Sequence, residues 1–521
     1  MEGGGIIIIR IKKRKNYKNR LIGDDCMTPS KLKDYKLKKG KFISPLNEIM
    51  TSLEDDKSWT YGRLPEYLWI GLIMDYYGRD EGFKRMHDIL VMTIKESIEL
   101  KTLRISEIMK LDDVKKKSFF ENVAKIIQNV ALAPLTLVFT VSEYPEFVKK
   151  FHDGSDIETR KEVLERVMSK LMNHQTNEAT DIRFLVLYYS MMLGRMHMLQ
   201  DQVEKLQLYP YISHDDVRMQ MIRPLIRASE MILLEMVEVN KEYLDLFWAE
   251  VSTVTDCKLY TIKFPAEENN GREYLEIIHE IMSYFNDLYV AACLLDNKMK
   301  VLISIATYSY KRFKEAVEHE LFNCIAGRSI IRVIIEEYIM MKYLVKKEQE
   351  KPNIWQEFEM YGIGQYKLIL AKHREFGLNR ESHVDSNYLE TLVNEFKIEE
   401  SIDMDTSYFG NQNIRIKAEE VGEKSLYGLY YDYDSTFEHG LWGAIRESSM
   451  LKCNNPAHQY HCVPDIDDEC NLKSILGDCV FVLNKIMLFL DEQYGMPTEL
   501  KERMIEFEER FVKRQNESTS E

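Results

Sequence analysis

Apolar residues recur at helical spacing through most of this chain, and this periodicity limits the fold more than any other feature. One example follows Pro65, which suits the first turn of a helix: the apolar residues there are Leu68, Trp69, Leu72, Ile73 and Tyr76. Residues that form turns are scarce, with only 12 Pro and 23 Gly among 521 residues. We therefore predict an all-α protein with little or no sheet.

A chain of 521 residues is too long for a single hydrophobic core, and one stretch interrupts the helical pattern. Residues 253–271 are rich in Thr and include Pro265, so we predict a linker there. Ser155 or Asp156 is expected to cap a helix, and the polar residues 377–433 are expected to be irregular. The predicted parts are a basic N-terminal arm, a helical array, the linker, a C-terminal helical bundle and a disordered tail, at residues 1–44, 45–252, 253–271, 272–514 and 515–521.

The charge distribution limits the partners. The net charge of -15 argues against nucleic-acid binding by the body of the protein, whereas residues 1–42 are strongly basic and could contact phosphates or anionic lipid, or could be a solvated tail. No secretory signal and no apolar run long enough for a membrane span is visible. We expect a cytoplasmic protein with reduced cysteines, no membrane insertion and no cofactor.

One helix carries an unusual polar face. Arg328, Arg332 and Glu336 follow one another at four-residue steps on a helix that is otherwise rich in Ile. Charges on such a helix are expected to face an interior or a cleft, where they need partners. A later block places Ser435, His439, Trp442 and Arg446 on one helical face, so we expect the two helices to meet there.

The residue types suggest acid–base chemistry. Arg332, Glu336 and His439 are the candidate catalytic residues, because an Arg can hold a phosphate while Glu and His exchange protons. The alternative is a buried ion pair that fixes the helix register. The candidate ligand-binding residues beside them are Arg328, Ser435, Trp442, His458 and His461.

A group of cysteines and histidines follows that block. Cys453, His458, His461 and Cys462 offer the ligand types that zinc prefers, but their spacing departs from the common zinc-binding patterns. We expect no bound zinc, and these four residues are the ligands to consider if a metal is present.

The polar helix with Arg328, Arg332 and Glu336, followed about a hundred residues later by Tyr431, Ser435 and His439, resembles a bacterial family known only as a domain of unknown function. The segments SWTYGRLPEYLWIGLI and CNNPAHQYHCVP resemble its longer members. The C-terminal region is similar, more loosely, to HEPN helical bundles, many of which are RNases of toxin and phage-defence systems. The resemblance implies a HEPN-like C-terminal bundle in a bacterial protein.

HEPN nucleases carry an Arg and a His a few residues apart. Arg272 with His279 and Arg312 with His319 have such a spacing, but chance alone gives about as many pairs in a chain of this composition. Neither pair lies in the segments that carry the resemblance. The sequence therefore does not favour RNA cleavage through these pairs.

Two functions remain open. The chain is either a defence-type effector that acts on RNA through a polar cleft in its C-terminal helical domain, or a non-enzymatic helical scaffold or sensor that binds a protein or nucleotide ligand. The absence of Walker, GxSxG, HExxH and dinucleotide-binding motifs removes the commonest NTPase, hydrolase and dehydrogenase classes. Whether the protein is an enzyme, and its oligomeric state, stay undetermined.

Overall fold

The structure is a computed structural model, and it describes residues 31–518 except 44–57, 97, 99, 197, 234–237, 265–269, 293–295, 378–381 and 468–470. It is 72% helical, so the prediction of an all-α fold is confirmed. The chain divides into two compact units, residues 1–257 with 455–460 and residues 258–454 with 461–521. Of the predicted N-terminal arm, residues 1–30 and residue 44 lie outside the described residues; of the predicted tail, residues 519–521 do.

The first unit contains ten of the helices described here. These are α1 Leu64–Tyr77, α2 Arg79–Lys95, α3 Ile105–Met109, α4 Asp113–Ile126, α5 Pro145–Phe151, α6 Ile157–Met172, α7 Asn177–Met192, α8 Gln200–Leu208, α9 Met219–Leu233 and α10 Lys241–Val254. A π-helical turn, Trp59–Arg63, precedes α1. Asp156 caps α6, because its side chain accepts a hydrogen bond from the backbone N–H of Thr159 at 2.8 Å.

Helix α1 lies at the centre of the first unit. Every residue from Leu64 to Ile73 is buried, since α2, α6 and α7 all pack against it. A helix that is apolar on all sides is stable in a globular protein only when other elements cover it completely. Residues 64–73 accordingly have no exposed face, and their one acidic side chain, Glu66, is buried and accepts hydrogen bonds from the backbone N–H and the hydroxyl of Ser106 at 3.0 and 2.7 Å.

A charged triad lies inside the same unit. Glu230 Oε2 accepts hydrogen bonds from Arg63 Nη1 at 2.5 Å and from Arg183 Nε at 2.8 Å, and all three side chains are at most 5% exposed. Both guanidinium groups also lie against the ring of Trp59. Burial, opposed by the charge of Glu230, lowers the pKa of Arg183 to about 10.

The second unit contains a further ten helices among the residues described. These are α11 Gly271–Ala291, α12 Asn297–Glu318, α13 Ile325–Glu348, α14 Ile354–Phe376, α15 Ser386–Phe396, α16 Ile414–Glu420, α17 Asp432–Glu438, α18 Trp442–Ser448, α19 Leu476–Tyr494 and α20 Thr498–Ser518. A short turn, Lys424–Leu426, and a π-helical turn, Tyr427–Tyr431, lead into α17. The expectation of an irregular segment at residues 377–433 was wrong, because α15 and α16 lie within it.

Helix α13 is the centre of the second unit. It packs against α12, α14, α16, α17 and α19, and its isoleucines are buried among them. At its start, a Cβ on Gly327 would collide with the backbone carbonyl oxygen of Leu321, so the helix approaches the 3-10 turn Leu321–Asn323 as closely as glycine permits. The polar face of α13 is therefore held in a fixed position.

Two small sheets complete the fold. In the first unit β1 Lys36–Lys38 pairs with β2 Lys41–Ile43 through a two-residue turn at Lys39 and Gly40, whose φ values of 48° and 77° suit such a hairpin. In the second unit β3 Leu259–Tyr260, β4 Met450–Cys453 and β5 Cys462–Pro464 form an antiparallel sheet in the order β3-β4-β5. The register places Leu259 opposite Cys453, so strand β3, inside the predicted linker, pairs with a strand almost two hundred residues later.

Candidate functional site

The polar face of α13 meets the segment that runs through the π-helical turn into α17. Arg332 donates from Nε to Ser435 Oγ at 3.0 Å and from Nη2 to the Tyr431 hydroxyl at 2.5 Å. Its guanidinium carbon also lies 4.5 Å from the centre of the Tyr431 ring. The predicted meeting of Arg332 with Ser435 is therefore present, and Tyr431 contributes to it.

Glu336 completes this network. It accepts a hydrogen bond from the Tyr431 hydroxyl at 3.0 Å, and its carboxylate lies 3.6 Å from Arg332 Nη1. Burial and the charge of Glu336 raise the pKa of Tyr431, so the hydroxyl stays protonated and donates. Because the Glu336 side chain is 37% exposed, the Arg332–Glu336 pair borders solvent and is not a fully buried ion pair.

His439 and Trp442 lie outside the Arg332–Glu336 network. His439 follows the last residue of α17, and its side chain is exposed. Within the described part of the chain, it forms no hydrogen bond or ion pair with Arg332 or Glu336. The Trp442 side chain, at the start of α18, is 64% exposed.

Two ionisable groups close to Glu336 have shifted pKa values. Burial, with the charge of Glu336, raises the pKa of Glu337 to about 7. Burial lowers the pKa of Lys417 to about 8, although the charge of Glu336 opposes this shift. The Lys417 ammonium lies 5.2 Å from the ring centre of Tyr343.

One turn before Arg332, Arg328 forms a second polar group with Asp434. Both side chains are almost fully buried, and Arg328 Nη1 lies 4.0 Å from Asp434 Oδ1. Arg328 also donates from Nη2 to the carbonyl oxygen of Lys473 at 2.8 Å. Burial, partly offset by Arg328, raises the pKa of Asp434 to about 7.

The hydrogen-bonding capacity of this pair is incomplete. Among the described residues, neither Asp434 Oδ1 nor Arg328 Nε has a hydrogen-bond partner. Buried polar atoms usually have one, and those without a partner are often found where a water molecule or ligand binds. Asp434 and Arg328 therefore mark a place where a ligand would complete the hydrogen bonds.

A cleft of about 580 Å³ adjoins this pair. Besides Arg328 and Asp434, its lining includes the charged residues Lys473, Asp478 and Glu508 and a set of aromatic rings, which are Tyr430, Tyr433, Phe481 and Phe511. Glu508 is held in place because Asn484 Nδ2 donates to it at 2.7 Å, and Asn484 is in turn hydrogen-bonded by the buried Tyr274. The volume is typical of a small-molecule site.

The remaining predicted residues lie around the strands of the small sheet. In the first unit Cys257 Sγ lies 3.2 Å from His458 Nδ1, and in the second unit the backbone N–H of Cys453 donates to the carbonyl oxygen of His461 at 2.9 Å. Cys462, which the sequence suggested as a possible metal ligand, accepts a hydrogen bond from Arg446 Nε at 3.1 Å. Cys257 was missed because no spacing in the sequence connects it to residues so far along the chain.

Asp434 was also missed, although it lies next to the predicted Ser435. A single acidic residue in a helix of seven residues gives no periodic signal. The one feature of the sequence that could have indicated Asp434 is its position four residues after Tyr430, in a block rich in aromatic residues.

Comparison with known proteins gives one match. Residues 300–458 match the model of a family of unknown function (DUF5677), which covers less than half of the chain. The matched region begins in α12 and contains Arg328, Arg332, Glu336, Asp434 and Ser435. No curated protein and no solved structure matches the chain significantly.

In the described part of the chain, every helix is too short or too polar to cross a membrane.

Proposed function

We propose that this chain is a helical ligand-binding protein whose second unit binds an amino-bearing nucleobase or nucleoside in the cleft beside Asp434. The observation that carries the proposal is a buried carboxyl group with an oxygen atom that has no hydrogen-bond partner, adjoining a cleft of small-molecule size. Such a carboxyl group binds a hydrogen-bond donor strongly, because the carboxyl group has already lost its water in the unbound protein and gains a partner when the ligand binds.

The lining of the cleft supports a flat ligand with donor groups. Aromatic rings bind the faces of bases, and carboxyl groups accept hydrogen bonds from exocyclic amino groups. With all groups ionised, three acidic residues of the lining, Asp434, Asp478 and Glu508, outnumber the two basic ones, Arg328 and Lys473. We therefore expect a nucleoside to bind more tightly than its triphosphate.

RNA cleavage by Arg332, Glu336 and His439 stays a prediction. The hydrogen bonds of Arg332 already go to Ser435 and Tyr431, and His439 lies outside that network. This arrangement favours a structural role for Arg332 and Glu336 over a reactive one. The HEPN-like character of the bundle and a bacterial, cytoplasmic setting belong to the same proposal, as implications of the resemblance.

The test is the thermal stability of the full-length protein with a panel of nucleosides. A ligand at a hundredfold its dissociation constant stabilises the folded state by about 2.7 kcal/mol. Adenosine should raise the melting temperature, and purine riboside, which lacks the amino group and has no other donor on that edge of the base, should raise it much less. Each variant is compared with its own ligand-free form.

Two substitutions on one helix give the control. Asp434→Asn should abolish the effect of adenosine, whereas Asp432→Asn, at an exposed position of α17, should leave it unchanged. Equal responses to adenosine and purine riboside, or an unchanged response in Asp434→Asn, would exclude recognition by this carboxyl group. Stabilisation by spermidine alone would indicate a simple cation site instead.

A further inference from the structure

The hairpin of β1 and β2, in the first unit, exposes apolar side chains on one face. Its register places Leu37 opposite Phe42, and directly opposite residues of an antiparallel pair lie on the same face. Both side chains are largely exposed, Leu37 by 65% and Phe42 by 55%. Leu32, in the 3-10 turn just before β1, is exposed as well. A single exposed apolar side chain is ordinary, but three of them in so short a segment indicate a contact surface.

The same hairpin is strongly basic. Residues 31–43 contain six lysines, all exposed, and a single acidic residue, Asp34. Because successive residues of a strand point to opposite faces, Lys36, Lys38 and Lys41 lie on the face opposite the pair of Leu37 and Phe42. The whole chain has a net charge of -15, so this positive charge is local. The hairpin is therefore amphipathic, with an apolar face and a cationic face.

The turns of the hairpin fix which side chains share a face. The two-residue turn at Lys39 and Gly40 has positive φ values at both positions, which sets the register of the two strands. Before β1, the carboxylate of Asp34 accepts a hydrogen bond from the backbone N–H of Lys31 at 2.8 Å and closes the 3-10 turn. A slip of one residue would move every side chain of a strand to the other face. The separation of apolar and cationic side chains is thus a property of this register.

Charge and apolar surface together favour a lipid surface over other partners. Lysines attract the phosphate groups of a membrane or of a nucleic acid alike. Nucleic-acid bases stack on aromatic rings, however, and the aliphatic side chains of Leu32 and Leu37 suit the acyl chains of a bilayer instead. A protein partner would need a larger surface, since a stable interface uses about 20–30 residues on each side.

We propose that the hairpin formed by residues 31–43 docks the protein on a membrane surface rich in anionic phospholipid. Leu37 and Phe42 enter the boundary between headgroups and acyl chains. The flexible lysine side chains reach the charged groups of the surrounding lipids. Such binding is peripheral and requires no membrane-spanning helix. This inference does not depend on the proposed nucleoside site.

Sedimentation of the full-length protein with lipid vesicles tests the proposal. Wild type should bind vesicles of equal parts phosphatidylserine and phosphatidylcholine, and it should not bind phosphatidylcholine alone. Added salt should weaken the binding, because it screens the lysines from the lipid charges. Each lysine near an anionic surface strengthens binding about fivefold, so replacing Lys36, Lys38 and Lys41 with Gln should weaken it about a hundredfold. Failure of wild type to bind the anionic vesicles would overturn the proposal.

A matched variant separates the hairpin from the overall charge of the protein. Lys115, Lys117 and Lys125 are three exposed lysines on α4 of the same unit. Their replacement with Gln changes the net charge equally and should weaken vesicle binding far less. Equal losses in the two triple variants would show that the hairpin has no special part in binding, and would overturn the proposal.

The apolar face distinguishes a lipid from a nucleic acid. Replacing both Leu37 and Phe42 with Ser should weaken vesicle binding while all the lysines remain. Phe42→Trp should be quenched by brominated lipid in the anionic vesicles more than wild type, which has five tryptophans of its own. Unchanged binding in the double Ser variant, or no added quenching in Phe42→Trp, would refute insertion of this face. Binding of poly(U) RNA by a protein that ignores the vesicles would identify a nucleic acid as the partner instead.

Discussion

Replacing Glu230 with Ala should destabilise the first unit strongly. The substitution removes the carboxylate that accepts hydrogen bonds from both Arg63 and Arg183, and the side chains of these two arginines are only 5% and 1% exposed. It therefore leaves two buried cations facing each other. Breaking a buried ion pair in this way costs about 3–5 kcal/mol. Glu230→Gln should cost less, about 2 kcal/mol, because the amide oxygen can still accept both hydrogen bonds.

The assay is urea unfolding of the full-length protein followed by tryptophan fluorescence. Trp59, one of five tryptophans in the chain, lies against both arginines and contributes to this signal. Glu162→Ala, at an exposed position of α6, is the matched control and should change the free energy of unfolding by less than about 0.5 kcal/mol. If Glu230→Ala were as stable as Glu162→Ala, the two guanidinium groups would have to be solvated, and the buried triad would be refuted.

Three further predictions concern the second unit. Glu336→Ala should cost only about 1 kcal/mol in urea unfolding, because the carboxylate is 37% exposed; a loss several times larger would show that the pair is buried. The pKa of Asp434 is about 7 in the folded protein, against an ordinary value of 3.8, so the folded state holds this proton more tightly than the unfolded state. The contribution of protonated Asp434 to stability therefore falls as the pH rises from about 4 to about 7. Thermal melts should show a weaker dependence on pH in Asp434→Asn than in wild type, and identical profiles would contradict the shift. Gly327→Ala should cost about 1–3 kcal/mol, because the new Cβ meets the carbonyl oxygen of Leu321, and a thermal melt equal to that of wild type would contradict this close approach.

Local patterns in the sequence were sufficient to predict the all-α fold and part of the candidate site. The four-residue spacing of Arg328, Arg332 and Glu336 places them on one face of α13, and Ser435 meets Arg332 as expected. Asp156 caps α6, as one of the two predicted candidates. These features depend on interactions within one helix or on a strong apolar pattern, which a sequence displays directly.

The prediction that His439 shares a helical face with Ser435 assumed that the helix continues through His439. Residues four apart share a face only inside a helix, and α17 ends at Glu438, so His439 does not continue the face of Ser435. Helices α15 and α16 were overlooked for the opposite reason, since the glycines on either side suggested an irregular segment. Helix ends depend on capping and packing, which single residue types indicate weakly.

The contact of Cys257 with His458 could not be predicted from the spacing of residues in the sequence. Strand β3 has only two residues, too few for an alternating pattern, and its partner β4 begins at Met450. The pairing of distant segments is a tertiary event that brings Cys257 to His458. Asp434 needed similar information, because its burial depends on Arg328 and on the residues that follow Lys473.

The most direct test of the account is the affinity for adenosine measured by calorimetry at pH 6 and pH 8. With a pKa of about 7, Asp434 is mostly protonated at pH 6 and mostly ionised at pH 8. If the carboxylate accepts the amino group of the base, binding should be about tenfold tighter at pH 8, and it should be weak and independent of pH in Asp434→Asn. Failure to bind at either pH, or the same affinity in wild type and Asp434→Asn, would contradict the central claim.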